Sequence, residues 1–103
     1  MVVVVAADTS AGISVAGLSE GDIVIGAEVI CTDANANGTL VLEDGAGGDI
    51  TDGIICAVAD AKHYTSSIIQ AKSTIPASGA KIISVGGTAA NTKGIMIIDY
   101  IPA

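Results

Sequence analysis

Short β-branched and aliphatic runs, broken about every ten residues by Gly, Asn, Asp or Ser, constrain this chain more than any other feature. Val, Ile and Thr suit a pleated, half-buried surface. Gly, Asn and Asp tolerate the positive φ of tight turns. No stretch carries an apolar pattern at helical period over the length of an ordinary helix. The pattern predicts an all-β domain of about seven to eight short strands: a small β-sandwich, jelly-roll-like, or a partly open barrel. At 103 residues the chain reads as a single domain, residues 1–103.

Taken in order, residues 1–7 are an apolar N-terminal arm or an edge strand, with Val2, Val3, Val4 and Val5 as an unbroken β-branched run. An exposed apolar strand is an aggregation hazard unless it pairs. Its two readings are a first strand of the domain's own sheet or a segment added to a neighbouring chain. Val2, Val3, Val4 and Val5 are therefore the candidate contacts with a partner or a second copy. On the second reading, lysines at Val3 and Val5 abolish assembly and leave the domain folded. A short strand is expected over residues 13–16. Residues 22–44 read as a hairpin turning at Asn37-Gly38, a strong turn dipeptide. Alternation puts Ile23, Ile25, Ala27, Val29 and Cys31 on the inward face, and Leu40 and Leu42 opposite Thr39, Val41 and Glu43. Residues 50–59 continue as a strand presenting Ile54, Cys56 and Val58 on one side. Residues 60–67 are open between structures, since ADAKHY would also serve as one helical turn, and Ile68 and Ile69 make a short apolar element. Residues 81–85 and Gly94–Ile101 close the set of strands. Between them residues 86–91 make a turn, and Pro102 stops the last strand because it cannot donate to a ladder.

Half of the residues are hydrophobic but only Tyr64 and Tyr100 are aromatic, so the core must be built from Val, Ile, Leu and Ala. So much aliphatic surface on so short a chain predicts burial against other chains. The net charge is −7, from eleven acids against four lysines and no arginine. That field repels phosphate backbones and anionic membrane surfaces, so neither nucleic acid nor membrane is an expected partner. The apolar run at residues 1–7 falls far short of the ~20 residues that cross a bilayer. It also lacks the basic leader region of a signal peptide, so synthesis in the cytoplasm is expected.

The candidate chemical sites are sparse. The acidic glycine loop, Glu43, Asp44, Gly45, Gly47, Gly48, Asp49 and Asp52, offers oxygens of the kind calcium takes, but in neither the EF-hand spacing nor a repeated Gly-Gly-x-Gly-x-Asp unit. A solvated turn explains it. His63 has Asp60, Ser66 and Ser67 near it in sequence, without the spacing of a nucleophile–base pair. Asn37-Gly38-Thr39 fits a sequon and equally a hairpin tip. Cys31 and Cys56 each sit in an apolar run and read as small buried hydrophobes; a disulfide is open to them if their strands are neighbours. With one His and no Cys-x-x-Cys, a zinc site is not expected. No catalytic residue, metal or cofactor is predicted, and the chain is not read as an enzyme.

The run GDIVIGAEVICTDANANGTLVLEDGAGGDITDGIICAVA and the terminal GIMIIDYIPA together resemble small head-associated proteins of tailed bacteriophages. In particular they resemble capsid decoration (cement) proteins, which are short, acidic, rich in Gly and Ala, and mostly β. The likeness covers residues 21–59 and 94–103, about two-thirds of the chain. It implies a structural virion protein on the outer surface of the head, bound to the major capsid protein and to itself as a homotrimer. Many weak copies on a closed lattice would gain avidity. The opening MVVVV departs from the long polar arm of lambda-type decoration proteins, so a sandwich-type cement protein is the closer likeness. The alternative is a carbohydrate- or calcium-dependent binding module of a phage fibre or adhesin, disfavoured by the shortage of aromatic platforms.

Overall fold

The computed structural model describes residues 2–5, 12–32, 38–56, 62–64, 73–85 and 93–103, and within them the apolar runs resolve into eight strands. The strands are β1 (Val2–Val5), β2 (Ile13–Ser14), β3 (Ile23–Cys31), β4 (Gly38–Asp44), β5 (Ile54–Cys56), β6 (Lys62–Tyr64), β7 (Ala80–Val85) and β8 (Gly94–Ile101). They form two four-stranded antiparallel sheets, in the orders β1-β8-β3-β6 and β2-β7-β4-β5. The all-β, two-sheet architecture agrees with the sequence reading. One apolar cluster draws Val24, Val29, Met96 and Ile98 from the first sheet and Leu40, Leu42, Ile54 and Ile82 from the second. Val15, Leu18, Ile50 and Ile75 close it from the connections. Full burial of each such aliphatic side chain stabilises by roughly 1.5–3 kcal/mol, which is how a core without Phe or Trp holds together.

Three expectations are corrected. Residues 22–44 do not form a hairpin: β3 lies between β8 and β6, whereas β4 lies between β7 and β5 in the other sheet. The connection after Cys31 therefore crosses from one layer to the other, and β4's true hairpin partner is β5, with Thr39 opposite Ile55. Turn chemistry marks a reversal but does not say in which layer the returning strand pairs.

The second correction concerns alternation along β3. Val24 pairs Tyr100 and Gly26 pairs Asp99, so Ile25 is an extra residue on β3. A bulge shifts parity by one and moves each preceding side chain to the opposite face. Ala27, Val29 and Cys31 point inward as expected, but ahead of the bulge the buried residue is Val24, while Ile23 and Ile25 are exposed. On β4 the expected alternation is also blurred. Leu40 and Leu42 are fully buried, yet Val41 and Glu43 on the opposite parity are buried too.

Third, residues 62–64 are strand rather than helical turn, since the β3 edge offers them a ladder: Glu28 pairs Tyr64 and Ile30 pairs Lys62. Of the residues 50–59 expected as a strand, Ile54–Cys56 form β5, and residues 57–59 lie outside the described residues. Ile50 and Thr51 instead hug β4, both backbone N–H groups donating to the Leu42 carbonyl at 2.8 and 3.2 Å. The strand expected over 13–16 is confined to Ile13–Ser14, although the Val15 N–H still donates to the Ala80 carbonyl at 2.9 Å. Asn37, Val58, Asp60, Ser66, Ser67, Ile68, Ile69 and the turn at 86–91 lie outside the described residues.

Two glycines are required by close approach. A side chain at Gly94 would run into the Ile30 carbonyl and the Cys31 backbone, and one at Gly45 into the Ser78 carbonyl. Gly94 thus lets β8 lie tight against the end of β3. Gly45 lets the acidic turn abut the turn before β7, where its N–H donates to the Gly79 carbonyl at 2.8 Å.

Candidate interaction surface

Val2–Val5 forms β1, the outer strand of its sheet, paired with β8 from Val2 opposite Ile97 to Val5 opposite Gly94. Of the two readings of this segment, the backbone adopts the edge strand. Val3 is half-buried and packs against the core, so it cannot be replaced by lysine without a cost to the fold. β1 covers only the Gly94–Ile97 half of β8; among the described residues no strand continues its line beside residues 98–101.

Among the described residues, that half of β8 borders a corner where exposed aliphatic side chains cluster. Ile23 pairs directly with Ile101, and Ile25 follows as the extra residue of the bulge, between the Val24–Tyr100 and Gly26–Asp99 pairs. The fractional exposures of Ile23, Ile101 and Ile25 are 39%, 52% and 58%. Beside them Ile25, Ile98, Asp99 and Tyr100 line a shallow depression of about 400 Å³. Isolated exposed aliphatics are ordinary, but a cluster marks an interaction surface. Sequence reasoning assigned Ile23 and Ile25 to the core and so missed this corner. Its available signal was Gly26, since a glycine inside a strand pattern marks a bulge.

The corner is held by a buried carboxylate. Asp22 accepts hydrogen bonds from the Ser19 N–H at 2.8 Å and from the Ala103 N–H at 2.9 Å. The Asp22 carbonyl takes the Ile75 N–H at 2.8 Å, and the Val24 N–H donates to Ser73 at 2.8 Å. The end of β8, the start of β3 and the segment before β7 therefore meet at one residue. A second apolar row crosses the other sheet's outer face, where exposed Ile55 and Val85 flank Thr39 in register. The Thr39 hydroxyl donates to the Val85 carbonyl at 2.7 Å.

The acidic loop is organised around its own backbone. Asp44 Oδ1 accepts from the Ala46 and Gly48 N–H groups at 2.9 and 3.0 Å, the pattern of an Asx-turn. Glu43 and Asp49 form a β-bridge. Burial, then a hydrogen bond to Asp49 and that residue's charge, push the Glu43 carboxyl above the ordinary carboxylate range; Lys81, with Nζ 3.9 Å from Oε1, opposes the shift. Among the described residues no three His, Cys, Asp or Glu side chains converge as a metal site. His63 sits on β6 opposite Val29, and Asp60, Ser66 and Ser67 fall outside the described residues.

Comparison with family models, with curated proteins and with solved structures finds no match.

Proposed function

We propose that this protein is a structural, non-catalytic component of a phage virion, a decoration protein that binds the outer surface of the major capsid shell as a homotrimer. The observation that carries the reading is the Ile23–Ile25–Ile101 corner beside the half of β8 that no other described strand pairs on the β1 side. A partner covering it would remove three large aliphatic side chains from water and could add a strand where β1 stops. β-Strand addition supplies main-chain hydrogen bonds, and pockets for alternate side chains supply specificity. The Val2–Val5 edge strand is the second element available to a neighbour. The acidic body suits a surface facing away from packaged DNA.

The test is mass in solution by light scattering, with and without calcium, followed by addition to bare shells of the cognate major capsid protein. The expected result is a calcium-indifferent species near three times 10.0 kDa that binds the shells. Ile25→Lys, at an exposed position, is expected to change stability by less than about 0.5 kcal/mol and to lower shell binding more than tenfold. A protein that ignores shells, or a monomer that changes only with calcium, overturns the reading in favour of a fibre- or adhesin-type binding module.

A further inference from the structure

Cys31 and Cys56 close β3 and β5, which belong to different sheets, yet both sulfurs are fully buried and lie 2.7 Å apart. Two sulfur atoms not bonded to each other repel at that separation. A disulfide bond of about 2.05 Å needs an approach of only about 0.7 Å more. The surroundings favour that approach. Opposite Cys31 stands Gly94, whose missing side chain lets the start of β8 pack directly on the Cys31 backbone. Cys56 Sγ also lies 3.4 Å from the Lys93 carbonyl, which fixes the thiol near the start of β8. β3 and β5 approach each other across the layers, and the sulfur pair sits at that approach.

We propose that Cys31 and Cys56 are an oxidation site that forms an inter-sheet disulfide, stapling the two layers of the sandwich through the core. The oxidant is a small-molecule disulfide of the oxidised-glutathione class, acting while the chain folds and the thiols are reachable. The Cys56 thiolate attacks one sulfur of the oxidant, forming a mixed disulfide and releasing one small thiol. The Cys31 thiolate then attacks Cys56 Sγ, the Cys31–Cys56 bond forms, and the second small thiol leaves. The protein gives up two electrons and two protons, and the oxidant is reduced to two thiols. The bond closes a loop with a sequence separation of 25 residues, restricting the unfolded chain and joining the sheets covalently. The inference is independent of the capsid reading and holds for any assembly role of this fold.

Refolding the whole protein with oxidised glutathione, then alkylating in denaturant with and without reductant, tests it by intact mass. The expected product is a single chain lighter by two hydrogens, blocked to iodoacetamide until reduced. Its Tm is expected to lie roughly 15 °C above that of the reduced protein. Cys31→Ala/Cys56→Ala should melt near the reduced wild type and ignore the oxidant. If that double variant does not fold, the wild-type comparison with and without reductant carries the same readout. Two thiols still open to alkylation after oxidative refolding, or oxidation yielding only glutathione adducts or chains linked to each other, overturns the proposal.

Discussion

β3 and β4 adjoin in sequence, carry similar aliphatic residues and look alike as strings, yet the fold treats them in opposite ways. β4 is sunk, with Leu40 and Leu42 fully buried on one face and Val41 and Glu43 buried on the other. In β3 the buried parity switches at the bulge: ahead of it Val24 is buried while Ile23 and Ile25 face water, and after it Ala27, Val29 and Cys31 are buried. The difference shows that apolar content does not decide burial. Neighbours do, and a one-residue insertion in register is enough to convert core pattern into surface.

The sharpest way to break the comparison is to truncate both strands. Leu42→Ala is expected to destabilise by about 3–4 kcal/mol in urea unfolding, the cost of lost burial plus a cavity, while Ile25→Ala stays within about 0.5 kcal/mol. Equal losses would mean that Ile25 is buried in solution. Next, Val3→Lys is expected to lose on the order of 2 kcal/mol by the same measurement, because Val3 packs against the shared core. A variant as stable as the parent would restore the detachable-arm reading of Val2–Val5.

Asp22→Ala probes what keeps the exposed corner ordered. Removing the acceptor for the Ser19 and Ala103 N–H groups should cost roughly 2 kcal/mol and speed hydrogen exchange at the end of β8. The smallest effect belongs to β4's buried acid. Because the folded-state pKa of Glu43 is raised, the stability linked to its proton is fully present below the ordinary glutamate range. It is lost as pH rises through the folded value. Glu43→Gln should therefore melt a few degrees above the parent near pH ~7, and the gap should close toward pH ~4, below the glutamate pKa. A gap that widened on acidification would contradict the burial of that side chain beside Asp49. The Lys81 pair lost in the same substitution is long and partly exposed, so it contributes little.

Much of the fold was legible from residues alone. The last strand ends at Ile101 ahead of Pro102 as its proline requires, and the apolar positions of β5 and the later half of β3 face inward as their alternation predicts. The corner that now stands as the candidate surface was hidden, because Ile23 and Ile25 continue the alternation of Ala27, Val29 and Cys31 without a visible break. Gly26 was its single local mark.

By itself, then, the sequence determined that this chain is a β domain with an aliphatic core, an excess of acidic charge and turns at glycines such as Gly21 and Gly45. Those properties follow from side-chain shape, backbone freedom and charge, which each residue carries wherever it lies. Tertiary structure alone decided that β3 and β4 belong to different sheets, that Ile25 is squeezed out as a bulge, and that Cys31 meets Cys56 across the layers. These depend on which strand edges pair and in what register, and pairing is settled by the summed fit of distant residues rather than by any local pattern.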